Sequence, residues 1–480
     1  MQSNKMPSEP ENALDVTRRH FFGDCAVGVG KIALASLLTN ALSPRNTFAD
    51  TGTGNLAGNF TGNLMSPKPT HFRATAKSVV HLFMAGAPSH LDLFDYKPAL
   101  AKFEGKPIPP EIIAGQRYAF IRADSAAMGP RFKFARHGQS GAELAEVLPH
   151  LAKVADRLAI VRSMTTKEGN HQRASYLLHT AYVPTASIHH PTLGSVVTHE
   201  AHQAACELPA FVRIGTAFAN TSNGGFLGTE YDAFVVGNAD RPPENVALTT
   251  STDRYQRRLQ LMGQLESLPG SSAEKSSVYD HGKLYESASR MVLSPQMQAF
   301  DLSKESDKTR EAYGKTQFGN SCLLARRLIE TGVTFVEAAL PNWDTHFDNF
   351  AKTRTLCGQL DQPFAQLLID LEQRGMLERT LVVWMGEFGR TPQISPRGGR
   401  DHFPRAFSVA LAGAGIRGGQ VIGATDPAGE SIASQPISEK DLFQSIYKRL
   451  KIDAHKENMT AVGRPMRVVD GGKPVPELIS

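Results

Sequence analysis

Histidine and carboxylate side chains recur in three short stretches of the sequence and in one neighbouring loop. These residues are His90 and Asp92, Asp344 and His346, Glu387, and His402. Imidazole combined with carboxylate suits Zn, Mn or Fe as a metal ligand set, and a set richer in carboxylates suits Mg or Ca. A protein-bound metal of this kind lowers the pKa of water and stabilises negative charge developing on oxygen. The pattern therefore predicts a hydrolytic centre with a divalent metal (Zn, Mn, Mg or Ca).

Arginines flank the acidic cluster. The guanidinium groups of Arg390 and Arg400 are suited to bidentate contacts with phosphate or sulfate oxygens, so we expect both to bind an anionic substrate. A structural alternative exists for each signal. The arginines can offset nearby carboxylates, with Glu387 as the partner of Arg390, and His402 can pack against Phe403 as a core residue.

A third polar region follows the predicted strand 158–163. It precedes a predicted helix at 171–180, and backbone N–H groups at a helix start favour anions. The region predicts an oxyanion cradle or a nucleophile, with His171, Thr165 and Thr166 as catalytic candidates. Its candidates for substrate binding are Arg173, Asn170 and Lys167. No serine lies in the G-x-S-x-G setting of a hydrolase nucleophile elbow.

The elements that must position these residues alternate between strands and helices. Apolar, β-branched runs predict strands at 78–85, 158–163, 210–214, 333–338, 381–385 and 407–411. Helical patterns lie at 143–156, 171–180, 192–205, 321–330 and 347–374, and from Ser438 onward. This alternation indicates an α/β fold with a mostly parallel central sheet sandwiched by helices. Ligands bind beyond the carboxyl ends of such strands, so the candidate residues are expected to converge there.

Composition and charge narrow the class of protein. The chain has 480 residues, a formal net charge of +5, 41% hydrophobic and 21% charged residues, which is typical of a folded globular protein. The small charge gives no indication of nucleic-acid binding. No glycine-rich nucleotide loop follows the first strand, which counts against a dinucleotide or P-loop enzyme. The four cysteines show no C-x-x-C spacing, so a zinc ribbon or disulfide scaffold is not expected.

The N-terminal segment has the features of an export signal. Arg18-Arg19, a short glycine-interrupted apolar run and small residues near Ala49 predict a twin-arginine signal peptide over residues 1–49. We expect a flexible leader at 50–70 and a single domain at 71–480, with a helical insertion at about 240–315. The protein is then expected to meet the twin-arginine translocase during export and to reach the periplasm or cell envelope. No later segment is long and apolar enough to span a membrane.

Six stretches of the sequence carry a family resemblance. They are AGAPSHLDLFDYKP, GNHQRASYLLHT, CLLARRLIETGVTFVE, WDTHFDN, DLEQRGMLERTLVVWMGEFGRTP and GRDHFPRAFSVALAGAGIRGGQVIGATD. They resemble, in order and from about residue 70 to the end, the exported bacterial family catalogued as domain of unknown function 1501. That family is similar to the alkaline phosphatase and sulfatase superfamily. The resemblance implies an alkaline-phosphatase-like domain.

The resemblance also implies roles for individual residues. Asp344 and His346 resemble the metal-binding Asp/His pair of the superfamily, and His402 resembles its late histidine. Glu387 stands where the aspartate of an Asp-His pair is expected, with Phe388 in place of the histidine. His171 falls near the nucleophile position, where this sequence has no Ser or Cys. The first strand lacks the superfamily's aspartate, for which Asp92 or His90 is a substitute.

Two functions follow from these observations. The leading hypothesis is an exported metal-dependent hydrolase of phosphate or sulfate esters, acting on a small molecule or on a polysaccharide such as a sulfated one. The alternative is a catalytically degenerate alkaline-phosphatase-like fold that binds a glycan or an envelope partner. The missing first-strand aspartate and Phe388 favour the alternative.

Overall fold

The computed structural model describes residues 76–108, 125–201, 206–216, 218–244, 246, 248–266 and 285–479. The predicted signal peptide at 1–49 and leader at 50–70 lie outside the described residues, so both stay predictions. Within the described residues, no helix is both long and apolar enough to cross a membrane.

A nine-stranded sheet forms the centre of the described chain. Its strands are β1 (Ser78–Phe83), β2 (Ala159–Thr165), β3 (Phe211–Ile214), β4 (Phe234–Val236), β5 (Phe335–Ala339), β6 (Thr380–Met385), β7 (Phe407–Ala412), β8 (Gln420–Ile422) and β9 (Ile437–Ser438). Their order is β8-β2-β7-β6-β1-β5-β3-β4, with β9 pairing β2. Only β7 runs antiparallel to its neighbours β2 and β6 among these pairs. The predicted α/β class with a mostly parallel sheet is confirmed.

Five longer helices pack on the sheet and help to position the polar residues. They are α1 (His171–Thr180), α2 (Leu193–Ala201), α3 (Gln317–Thr331), α4 (Asn349–Gln373) and α5 (Glu439–Arg449). Side-chain caps determine where two of these helices begin. Asn170 caps α1 by accepting from the Arg173 backbone N–H, and Ser438 with Asp441 forms the capping box that starts α5.

The two faces of the sheet bury separate apolar cores. Val80 and Leu82 of β1 pack with residues of α3 and α4, whereas Val79 and Phe83 pack with residues of α1, α2 and α5. Successive side chains of a strand point to opposite faces, so a strand covered on both faces must be apolar throughout. This explains why β1 and β6 are largely continuous apolar runs and why helices lie on each side.

One predicted helix differs from the structure, and a second is only partly described. The predicted helix 143–156 is a strand, Ala142–Ala145, paired with Phe134–His137 and followed by a helix of only Pro149–Lys153. Pro149 explains the late start, because proline is accepted in the first turn of a helix but not in its interior. The predicted helix 192–205 is described only as α2, since 202–205 lie outside the described residues.

The polar stretch 240–315 is helical over much of the part that is described. It contains a helix at Thr252–Glu266, a second at 285–293, and shorter turns before a helix at Asp307–Ala312. The intervening residues 267–284 are not described. Cys206, Cys322 and Cys357 are free thiols.

Candidate metal centre

Four side chains bring their ligand atoms together at one place. His171, Asp344, His346 and His402 each offer one such atom, and these atoms lie within 4.8 Å of one another. Asp344 Oδ1 is 3.2 Å from His171 Nε2, 3.0 Å from His346 Nε2 and 3.5 Å from His402 Nε2. The Nε2 atoms of His346 and His402 are 2.9 Å apart. The structure therefore brings together four of the histidine and carboxylate residues that the sequence analysis selected.

The strand ends place these four residues. Asp344 and His346 lie beyond the carboxyl end of β5, and His171 is the first residue of α1, shortly after β2. His402 lies on a short antiparallel pairing, opposite Arg390. Residues 345–349 run against 397–400, with the Arg400 backbone N–H donating to the Thr345 carbonyl at 3.1 Å. The carboxyl ends of parallel strands lie at the same edge of the sheet, so residues that are distant in sequence meet at one site.

The second ring nitrogen of each histidine faces an acceptor. His402 Nδ1 is 2.7 Å from the carbonyl oxygen of Gly169, and His171 Nδ1 is 2.6 Å from Glu387 Oε1. His346 Nδ1 lies 3.5 Å from Asp401 Oδ1. A carbonyl or carboxylate can only accept, so each contact favours a hydrogen on Nδ1. In the neutral ring this leaves the Nε2 lone pair facing the cluster, the arrangement that orients metal-bound histidines.

These residues fit a divalent cation. Two Nε2 lone pairs only 2.9 Å apart repel one another unless a cation or a shared proton lies between them. Four of the six separations among the ligand atoms are 2.9–3.5 Å, close to the edge of about 3.3 Å of a tetrahedron with metal–ligand bonds of about 2.0 Å, and all six are within 4.8 Å. Asp344, Glu387 and Asp401 carry three negative charges against one positive charge on Arg390, so a divalent ion would balance the formal charge.

Hydrogen bonds keep the carboxylate of Asp344 charged. Burial alone would raise its pKa, but without a metal the rings of His171, His346 and His402, when they carry a hydrogen on Nε2 as well as on Nδ1, donate to Asp344, and with the charge of Arg390 they hold the pKa far below its usual range. Arg390 Nη2 donates to Asp344 Oδ1 at 2.7 Å. The Asp344 side chain is nevertheless 44% exposed. Solvent therefore reaches the cluster directly at this residue.

Aromatic rings line the histidine side of the cluster. Phe218 stacks on the ring of His171 with centroids 5.4 Å apart and planes 13° from parallel. Phe388 lies 4.9 Å from His171 and 4.8 Å from His402. Phe388 is thus a buried apolar contact of two of the candidate ligands.

Close backbone packing requires a glycine in the loop after β1. Gly86 has φ +108°, and a Cβ atom there would lie 2.4 Å from the backbone nitrogen of Asp344. Only glycine fits such a contact in this conformation. Its backbone N–H donates to Glu387 Oε1 at 2.9 Å, and its carbonyl accepts from Arg390. The loop after β1 therefore supports the site through its backbone.

The structure separates Asp92, Arg400 and His90 from the cluster. Arg400 donates to both carboxylate oxygens of Asp92, at 3.0 and 3.3 Å, and its other hydrogen bonds go to backbone carbonyls. Asp92 and Arg400 are thus paired with each other, and the metal role of Asp92 and the substrate role of Arg400 stay predictions. His90 is buried and stacked on Phe403, and burial lowers its pKa to about 4. His90 is not among the grouped ligand atoms of the described residues.

Glu387 and Arg390 lie at the site and make hydrogen bonds there, whereas the buried Glu387 Oε2 has no hydrogen-bond partner among the described residues. Glu387 Oε1 contacts His171 Nδ1 and the Gly86 N–H, so it orients a histidine rather than joining the four grouped atoms. Arg390 is buried and donates to carbonyls of Gly86, Ala87 and Arg400 as well as to Asp344. Most of the N–H groups of Arg390 therefore have internal acceptors, and its predicted substrate role stays a prediction.

The segment before α1 is largely occupied with its own local contacts. Arg173 forms an exposed ion pair with Glu168 at 2.7 Å, and Asn170 caps the helix. Lys167 is exposed. Thr166 Oγ1 accepts from the Glu168 N–H at 3.5 Å, and Thr165 ends β2 opposite Ser438. Among the described contacts, neither threonine hydroxyl bonds to the four-residue cluster. Their catalytic role, and the substrate roles of Lys167, Asn170 and Arg173, stay predictions.

One acidic residue near the cluster was not among the sequence candidates. Asp401 is completely buried, accepts from the His402 backbone N–H at 2.9 Å and approaches His346. Its position directly before His402 could have identified Asp401 from the sequence, since carboxylates commonly orient metal-bound histidines. The Gly169 carbonyl, which contacts His402, is a backbone group, so the residue type in the sequence does not indicate its role.

Comparison with known proteins gives one family match. The family described as "Protein of unknown function (DUF1501)" matches residues 76–479. No protein of curated function has a matching sequence.

Similar solved structures include three enzymes of the superfamily that the motifs resemble. An alkaline phosphatase from the Antarctic bacterium TAB5 is 12% identical, with a TM-score of 0.34 over 78% of this chain and 99% of that chain. A sulfatase from Pseudoalteromonas sp. is 12% identical, with a TM-score of 0.34 over 79% and 68%. A lipoteichoic acid synthase from Listeria monocytogenes is 8% identical, with a TM-score of 0.33 over 78% and 72%. With similarity this low, nothing about activity or substrate follows from these structures.

Proposed function

The chain belongs to the DUF1501 family, and from its own residues we propose that it is an exported metal-dependent hydrolase of phosphate or sulfate esters. The observation that carries the proposal is the convergence of three Nε2 atoms on Asp344 Oδ1, with each second ring nitrogen facing an acceptor. His171, Asp344, His346 and His402 would hold the metal. His171 would thus be a ligand, in place of the catalytic role expected from the sequence.

The chemistry needs a polarised ester oxygen and an activated water. A divalent metal held by these four side chains supplies both, by lowering the pKa of water and by withdrawing charge from oxygen. The chain's own contribution is orientation. Glu387, Asp401 and the Gly169 carbonyl would hold Nδ1–H of the three histidines so that Nε2 faces the metal. Arg390 helps to keep Asp344 ionised.

A direct attack by water suits this site better than a covalent intermediate. No Cys belongs to the four-residue cluster, and among the described hydrogen bonds neither the Thr165 nor the Thr166 hydroxyl reaches that cluster. In the direct reaction the water oxygen bonds to phosphorus or sulfur, the bond to the alcohol oxygen breaks, and the alcohol leaves with a proton from water.

Metal content and turnover test the proposal together. The purified full chain should contain about one divalent ion and should hydrolyse 4-nitrophenyl phosphate or sulfate. His402→Ala should lose both the ion and the turnover. The matched control His455→Ala changes an exposed histidine and should retain both. A metal-free wild-type protein that stays inert after addition of Zn, Mn, Mg or Ca contradicts the proposal.

The alternative, a glycan- or partner-binding protein without catalysis, is favoured by one observation. The buried guanidinium groups of Arg390 and Arg400 donate most of their hydrogen bonds to internal acceptors, which leaves them little capacity to hold an anion. A double change, Asp344→Ala with His402→Ala, separates the two functions. Loss of turnover in this variant supports the hydrolase. A wild-type protein without turnover that binds glycans, together with a double variant that binds them equally well, supports the alternative.

A further inference from the structure

The loop after β3 reaches the candidate metal centre through an aromatic ring. We propose that residues 218–223, here called the 218–223 loop, form a subsite that binds the sugar part of an ester substrate. The inference rests on the proposed function, which it extends from the reacting ester to the substrate class. Its starting point is Phe218, which is only partly buried and stacks on the candidate ligand His171.

The composition of the loop suits a carbohydrate. Asn220, two residues after Phe218, is exposed, and Ser222 is partly exposed. An amide or hydroxyl side chain offers both a donor and an acceptor, as a sugar hydroxyl does, and an aromatic ring accommodates the apolar C–H groups of a sugar. Binding sites that combine an apolar surface with a few polar groups orient their ligands in this way. A simple anion would instead be bound by cations, and this loop contains no Lys, Arg or His.

Buried polar contacts hold the loop in place. Thr221 is completely buried, and its hydroxyl donates to the Phe218 carbonyl at 2.7 Å and accepts from Arg213 Nη1 at 2.9 Å. Arg213 Nε in turn lies 3.3 Å from Glu337 Oε1. The Asn223 carbonyl accepts from the Ser195 hydroxyl of α2 at 3.0 Å. The backbone that carries Phe218 is thus anchored before any ligand binds, which reduces the entropy lost on binding.

The same buried network also holds α1, which carries His171. Glu337 Oε2 is 3.2 Å from His81 Nδ1 and 3.2 Å from His179 Nε2, and His179 lies in the last turn of α1. Strand register brings this about, because His81 of β1 and Arg213 of β3 both pair with Glu337 of β5. One carboxylate therefore fixes the helix of the candidate ligand and the loop of the proposed subsite relative to each other.

These three groups do not make a good second metal site. The ligand atoms of His81, His179 and Glu337 are close enough to hold an ion, but Arg213 already pairs with Glu337. A divalent ion added there would leave a net charge of about +2 buried in the protein interior, which is strongly unfavourable. We therefore assign the network a positioning role.

Binding measurements without turnover test the subsite. The full chain is titrated with dextran sulfate, fucoidan, carrageenan and heparin, and with poly(vinyl sulfate) as a sulfated polymer without sugar. We expect at least one sulfated glycan to bind tenfold or more tightly than poly(vinyl sulfate). Phe218→Ala should remove most of that difference, and Asn220→Gly should reduce it. Glycine at 220 preserves the positive φ of 61° while removing the amide.

Matched measurements separate this proposal from the proposed hydrolase. Tyr285→Ala, which alters an exposed aromatic residue outside the loop, should bind like wild type and should keep the metal content and the hydrolysis of the 4-nitrophenyl ester. Equal affinity for glycans and poly(vinyl sulfate), or no effect of the loop variants, overturns the sugar subsite. A metal-free inert chain that still binds glycans through the loop overturns the hydrolase and leaves the subsite supported.

Discussion

At the residue scale, the histidines of the candidate centre are defined by the contacts of both ring nitrogens. Nε2 of His171, His346 and His402 faces the cluster, while Nδ1 faces an acceptor. Such outer contacts fix the tautomer and raise the basicity of a ligand. The acceptors are therefore expected to contribute to metal affinity although they do not join the ligand group.

Asp401 provides a direct test of this role. Asp401→Asn retains the shape of the side chain but removes the negative charge near His346 Nδ1, so metal affinity should fall by roughly 10–100-fold. Competition with a chromophoric chelator measures the affinity. Asp453→Asn, a change at an exposed aspartate, serves as the control and should leave affinity unchanged. An Asp401→Asn protein that binds metal like wild type contradicts the assignment.

At the element scale, the site depends on loops that pack backbone against backbone at the carboxyl ends of the strands. Gly86, shortly after the end of β1, touches the backbone at Asp344 beyond β5. The 218–223 loop is similarly tied to β3 and β5 through Arg213 and Glu337. The relative positions of these strand ends, and not the sequence distance between them, determine which polar residues meet.

Two glycines with similar φ angles distinguish the cost of a steric clash from the cost of the backbone conformation alone. Gly86 and Gly228 have φ of +108° and +106°, but a Cβ atom at Gly228 would meet nothing within 4 Å. Gly228→Ala should cost about 1–3 kcal/mol in unfolding free energy from the backbone conformation alone. Gly86→Ala should cost more and should also weaken metal binding, because Asp344 must shift. Denaturant unfolding and metal titration measure both. Equal costs with unchanged metal affinity would contradict the packing argument.

At the scale of the whole molecule, buried ionisable groups couple folding to pH. His90 is 2% exposed, and burial lowers its pKa from 6.5 to about 4. The unfolded chain therefore binds a proton more readily than the folded chain between these values. By linkage, His90 contributes stability that is fully present above pH 6.5 and is lost as the pH falls towards 4.

The size of this effect is measurable in unfolding experiments. The lowering of the His90 pKa from 6.5 to about 4 corresponds to roughly 3 kcal/mol of unfolding free energy. His90→Phe retains an aromatic ring against Phe403 and should flatten the stability profile between pH 6.5 and 4. His455→Ala, at an exposed position, should leave the profile unchanged. Wild-type and His90→Phe profiles of equal slope would show that His90 does not titrate in this way.

The sequence by itself determined the α/β class, most strands and helices, and the candidates from which the cluster is built. Apolar runs such as β1 and the capping signals of α1 and α5 are local, so they can be recognised without knowledge of the rest of the chain. The signal peptide and the residue roles stay predictions.

Only the tertiary structure decided which polar residues meet. Asp92 and Arg400 have the same chemistry as residues of the site, yet they neutralise each other in a buried pair, whereas His171 joins Asp344 across the sheet edge. Asp401, the Gly169 carbonyl and the Phe218 ring enter the site through long-range packing. Charge and hydrogen-bonding capacity are properties of a residue type, but partner choice depends on distances of a few ångströms between segments that are remote in sequence.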